Sequence, residues 1–118
     1  MTQRVTPQIP ITIRQGATWE LPLSWKIDGA VVDLSTWSAR MQVRVRASST
    51  AAVLSLTNGD GIDLAATGWN VILRRSATQT ANLAPRDYVF DVELVEPAGR
   101  VWPWIAGVIT VEPEVTRS

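Results

Sequence analysis

Three groups of residues carry oxygen or charge at spacings that chemistry uses. The run Asn58-Gly-Asp60-Gly-Ile-Asp63 sets three oxygen-bearing side chains at alternating positions, as a calcium loop does. A helical calcium loop also needs a glutamate about six residues past its glycine, and Ala65, Ala66 and Thr67 follow here instead. Asn and Asp beside Gly also satisfy the positive φ of tight turns, so the run reads as a turn and no metal is assigned to it. Acid–base catalysis would need two carboxylates close together, one of them in an apolar pocket. Asp91 and Glu93 are the nearest pair, but alternation puts both on the outward face of one strand, with Arg44 and Arg46 outward on a strand expected beside it. The expectation is a cross-strand ion ladder, Arg44 and Arg46 against Asp91 and Glu93, each pair contributing from a few tenths to about 1 kcal/mol.

Histidine and cysteine are both absent from the 118 residues, which removes imidazole bases, thiolate nucleophiles, the usual zinc ligand sets and disulfides together. No catalytic residue, metal or cofactor is therefore expected, and the chain reads as a non-enzyme. Arg40, Arg44, Arg46, Arg74 and Arg75 are a candidate basic patch. The 11 basic residues are balanced by 11 acidic ones, so nothing steers the chain toward a polyanion and no nucleic-acid partner is expected. The opening residues carry no apolar run, and no stretch reaches the roughly 20 apolar residues of a membrane span. The expected setting is the inside of a cell, or a particle assembled there.

The elements that must position these residues are mostly strands. Trp19, Leu21, Leu23 and Trp25 share one face of a period-two run, and Ile9, Ile11 and Ile13 share one face of an earlier run that Pro10 confines to a sheet edge. Asp28-Gly29 marks a hairpin. Trp37, Ala39, Met41, Val43 and Val45 face inward on the most regular strand. Short strands are expected on either side of Asn58–Gly61, another over Trp69 to Leu73, one with Tyr88, Phe90, Val92 and Leu94 inward, and a last run from Val101 to Val111. Ser76-Ala-Thr-Gln79 matches a capping box and predicts one short helical turn ending by Leu83.

One domain of seven to nine short antiparallel strands with one helical turn is expected, with polar arms over residues 1–8 and 112–118. Leu83-Ala-Pro-Arg-Asp-Tyr88 has the form of a tyrosine corner, and Trp37 opens a strand where a sandwich places a core tryptophan, so the architecture reads as an all-β, immunoglobulin-like sandwich without its disulfide.

Val101-Trp102-Pro103-Trp104-Ile105 stands apart. As a regular strand it would place Trp102 and Trp104 on one face and Val101, Pro103 and Ile105 on the other, so both faces would be apolar. Pro103 calls for an edge or a bulge, and Gly107 for a second irregularity. A single core covers one face, so Trp102, Pro103, Trp104 and Ile105 are the candidate protein interface, covered either by the N-terminal arm or by another protein.

The order of these pieces resembles a family of small tailed-phage proteins related to the immunoglobulin-like N-terminal domain of baseplate upper proteins. The residues that carry it are Ile11-Thr-Ile-Arg-Gln-Gly-Ala-Thr-Trp19, Asn58-Gly-Asp-Gly-Ile62, Ser76 to Pro85 with Tyr88-Val-Phe-Asp91, and Gly107-Val-Ile-Thr-Val111 with Val115-Thr-Arg117. The resemblance implies a structural virion component, assembled in the host cytoplasm, that attaches tail fibres or receptor-binding proteins by docking. Longer members continue into fibre-binding parts, whereas this sequence ends at Ser118, which points to a tail or baseplate adaptor, or to a capsid decoration protein. Expected partners are other virion proteins and further copies of the chain. From a different class, a carbohydrate-binding module would use Trp69, or Trp102 with Trp104, as a stacking platform.

Overall fold

In a computed structural model, described here for residues 8–115, the chain forms ten strands and one short helix. They are β1 (Gln8–Arg14), β2 (Trp19–Leu23), β3 (Lys26–Ile27), β4 (Ala30–Val31), β5 (Ser38–Arg44), β6 (Leu54–Asn58), β7 (Gly61–Leu64), β8 (Val71–Arg75), α1 (Ala77–Ala81), β9 (Asp87–Val95) and β10 (Val101–Glu112). β3 and β4 pair only with each other, around Asp28 at φ 52° and Gly29 at φ 81°. Positive φ at both central residues is the two-residue turn that Asp-Gly favours.

The other eight strands hydrogen-bond in the order β1-β10-β9-β5-β6-β7-β8-β2. Only Thr57–Gly61 and Asn58–Ile62 join β6 to β7. The order bends at that thin junction, because inward residues of both halves enter one core: Met41, Val92 and Ile109 from β1-β10-β9-β5-β6, and Trp19, Ile62 and Leu73 from β7-β8-β2. The fold is therefore all-β, a sheet closed over itself in a sandwich-like or barrel-like manner. Alternation is the cause. In β5, Ala39, Met41 and Val43 are buried while Arg40 and Gln42 are exposed, and β9 buries Tyr88, Phe90, Val92 and Leu94 in the same rhythm.

The expectation that all strands run antiparallel changes. β1 runs parallel to β10, Gln8 to Arg14 lying opposite Ala106 to Glu112, and the β6–β7 link is also parallel. The Asn58–Gly61 turn is thus a corner that carries the chain to the other half of the sheet, rather than a hairpin that folds it back. β10 is 12 residues long because a bulge lets it bend without ending. β1 does lie at a sheet edge, where the missing N–H of Pro10 costs no ladder bond. Gly107 marks no break in register. At φ 154°, a conformation L residues rarely adopt, a β-carbon there would land on the carbonyl oxygen of Ile9, so the glycine is what admits β1 alongside β10.

The capping box forms as the sequence predicts. Ser76 Oγ accepts from Gln79 N–H at 3.2 Å, and Gln79 Oε1 accepts from Ser76 N–H at 2.9 Å. The tyrosine corner forms too, with Tyr88 OH donating to the Ala84 carbonyl at 2.6 Å. Gln8 and Glu112, taken as arm residues above, belong to β1 and β10, and the Glu114 N–H is held by Gln15 Oε1 at 3.2 Å. The remainder of the two arms, residues 1–7 and 116–118, lies outside the described residues.

Candidate protein-docking site

The site is built from the chain crossings at one end of the sheet. The β2–β8 register sets Leu23 against Val71 and the β7–β8 register sets Leu64 against Val71, so the segments 24–37 and 65–70 leave the sheet together. The segment 96–100 joins them, because β9 and β10 meet at Val95 and Val101 and Ser38 lies opposite Val95. Two of these connections and Trp102 of β10 converge there on Trp25, which is 5% exposed.

Trp25 is held from both sides. Its indole meets Trp37 edge-on, with centroids 5.0 Å apart and planes at 69°, and meets Trp102 at 5.9 Å and 66°. Edge-to-face contact between rings adds about 0.5–1.5 kcal/mol to the burial itself. Its backbone is clamped by Asn70, a fully buried side chain. Asn70 Oδ1 accepts from Trp25 N–H at 2.7 Å, and Asn70 Nδ2 donates to the carbonyls of Trp25 at 2.9 Å and Val32 at 2.8 Å. The base of the β3–β4 hairpin is thereby tied to the segment before β8. Ser24 Oγ adds a bond to the Gly68 carbonyl at 3.1 Å, and the Leu34 N–H bonds to the Ala65 carbonyl at 3.1 Å. On the way to β5, Asp33 accepts from Ser35 N–H at 2.9 Å, and the hydrogen bonds from Ser35 hold its carboxyl below the usual range.

One tryptophan at this end stands exposed. Trp69, directly before the clamped Asn70, is 61% exposed. Ile27 and Val31 on the hairpin and Val101 at the start of β10 are exposed at the same end. An indole on a segment fixed by buried hydrogen bonds offers area at little ordering cost, which is the property of a binding anchor.

The four residues singled out by sequence do not form one patch. Trp102 is half-buried against Trp25, with the Arg100 guanidinium 4.3 Å from its ring centre. Trp104 is half-buried against the core, Pro103 is exposed, and Ile105 is buried. The reason is the bulge between Pro103 and Ile105, where register passes from Pro103 opposite Glu93 to Ile105 opposite Val92. Trp104 is the extra residue, and the shift turns Ile105 inward instead of leaving it beside Val101 and Pro103. Among the described residues, β1 covers the edge of β10 from Ala106 onward.

The other candidates are spent on the fold. Asn58 Oδ1 accepts from Ala39 N–H at 3.2 Å, Asp63 pairs with Arg74, and Asp60 pairs with Arg75 at 3.2 Å. Arg75 is no surface cation. It follows Val71 and Leu73 on the inward face of β8, its side chain is 5% exposed, and it also donates to the Ser55 carbonyl. β5 and β9 are neighbours as expected, but their register sets Arg40 against Glu93, paired at 2.7 Å, Gln42 against Asp91, and Arg44 against Val89. The expected ladder from Arg44 and Arg46 is thus replaced by one pair further along the strands. Arg44 instead donates to Gln42 Oε1 at 2.7 Å and to the Ser49 carbonyl at 3.1 Å, and Arg46 lies beyond β5.

Sequence reasoning missed Asn70, and it offered Trp69 only as a stacking platform of a carbohydrate-binding module. The signal for the first was a lone amide beside the apolar run Val71–Leu73, where an unpaired polar side chain would be costly. The sequence matches no protein-family model and no curated protein at a significant level.

Proposed function

We propose that this chain is a structural virion protein, a tail or baseplate adaptor that works by protein–protein docking through the loop end that carries Trp69. The observation that carries the reading is the contrast at that end: three tryptophans and a buried amide make a rigid base, and a fourth tryptophan stands exposed on it. Such a base has no catalytic purpose evident in its groups, and the reading is of a non-enzyme that binds other virion components and further copies of itself. A capsid decoration role would use the same surface.

The strand order supports an immunoglobulin-like version of the fold. β10-β9-β5-β6 corresponds to the G-F-C-C′ layer and β2-β8-β7 to B-E-D, with the tyrosine corner at the start of the strand equivalent to F. Trp37 lies just before the strand equivalent to C, and Trp25 is the tryptophan at the centre of the aromatic cluster.

The exposure of Trp69 favours one second reading, in which its face stacks on a sugar ring of a host glycan. The two readings separate by experiment. Tagged chain should be recovered in purified phage particles and its Trp69→Ala variant should not, with tryptophan fluorescence indifferent to host polysaccharide. A polysaccharide-induced shift that Trp69→Ala abolishes, in a chain absent from particles, would replace docking by glycan binding.

A further inference from the structure

A second surface lies on the outer face of β1-β10-β9-β5, away from the tryptophan end. Register aligns Gln8, Ala106, Asp91 and Gln42 in one row across these four strands. All four sit at outward positions, and the small Ala106 between long neighbours leaves a depression of about 360 Å³, lined also by Val89 and Arg44. Of the charged groups on this face, Arg40 and Glu93 hold each other, and Arg44 is turned onto Gln42 and Ser49. Asp91 alone among these four makes no hydrogen bond or ion pair with any of the described residues. Burial by the surrounding strands, reinforced by Glu93 and opposed by Arg44 and Arg40, pushes its pKa above the usual carboxylate range.

We propose that this depression receives a lysine side chain of a partner protein, whose ammonium pairs with Asp91 while its methylene stem lies over Ala106 and Val89. The chemistry is complementary at both ends. Asp91 is exposed in the depression with no hydrogen-bonding partner among the described residues, and a cation seated there would meet its carboxylate and the negative field of Glu93. The small apolar floor suits a stem that buries its methylenes and extends one compact charge.

The test uses the full chain and three capped tripeptides, Gly-Lys-Gly, its uncharged norleucine isostere and Gly-Glu-Gly, followed by amide chemical shifts. The lysine peptide is expected to perturb the amides of Asp91, Ala106 and Gly107 saturably, and Asp91→Asn to weaken that binding at least fivefold with an unchanged denaturation midpoint. Equal binding of the norleucine peptide, preference for the glutamate peptide, undiminished binding to Asp91→Asn, or no perturbation of these amides would each overturn the proposal. Any of those results leaves the docking reading standing, because that reading is tested through Trp69 at the other surface.

Discussion

The two ends of the sheet are closed in different ways. At the end formed by residues 15–18 and 76–87, short polar side chains capture backbone groups one by one. Gln15 Nε2 donates to the Leu83 carbonyl at 3.1 Å and its Oε1 receives Glu114 N–H at 3.2 Å. The buried Thr80 hydroxyl accepts from Gly16 N–H at 3.1 Å and donates to the Ala17 carbonyl at 2.8 Å, while Tyr88 secures Ala84. The opposite end is closed by ring area, Trp25 between Trp37 and Trp102, with one buried amide tying the backbone. The polar end uses its large groups up within the fold. The aromatic end keeps Trp69 in reserve, and a large apolar group left exposed on a rigid base is a group available to a partner.

If that contrast is right, the largest loss of stability belongs to the aromatic end. Trp25→Ala should cost about 3–5 kcal/mol, the range for emptying a large buried aromatic site, measured by chemical denaturation. A cost under about 1 kcal/mol would mean that the ring cluster does not close that end. Asn70→Ala should follow at about 2–3 kcal/mol, because it strands the buried Trp25 N–H and removes the bonds to the Trp25 and Val32 carbonyls, and amide exchange at Trp25 should accelerate. Protection at Trp25 unchanged in that variant would remove the clamp from the account. At the polar end no single residue should matter as much. Tyr88→Phe keeps the ring and loses only the bond to Ala84, an expected cost of about 1 kcal/mol; a larger loss than for Asn70→Ala would invert the comparison.

How much of this was legible in the sequence follows the range of the forces involved. Local rules were readable. Asp28-Gly29, the Ser76–Gln79 box, the Leu83–Tyr88 corner and the alternation of β5 and β9 each depend on neighbours within a few residues, and each appears in the structure as expected. Register was not readable. The ladder drawn from Arg44 and Arg46 identified the right pair of strands but not the right rows, since nothing local says which arginine opposes Glu93. The parallel partner of β1 and the corner at Asn58–Gly61 are choices of topology, made only when the two halves of the sheet close.

At the candidate site the division is the same. Pro103 announced a bulge, yet the direction in which it turned Ile105 depended on where β9 ran. Trp102 looked surplus because its partner, Trp25, is 77 positions away in the chain. Arg75 could have been placed by alternation alone, in phase with Val71 and Leu73, and was misread because charge outweighed phase.

The smallest expected change in stability carries the most weight for function. Trp69→Ala removes an exposed side chain and should alter folding stability by no more than about 0.5 kcal/mol, while a docking anchor of its kind supplies about 2 kcal/mol or more of binding, roughly a 30-fold loss of affinity. The direct measurement is the recovery of tagged wild-type and Trp69→Ala chains, matched in expression and melting temperature, in purified phage particles. Wild-type chain is expected in the particles, with at least a tenfold fall in recovery for the variant. Equal recovery of the two chains, or absence of the wild-type chain from particles, would contradict it.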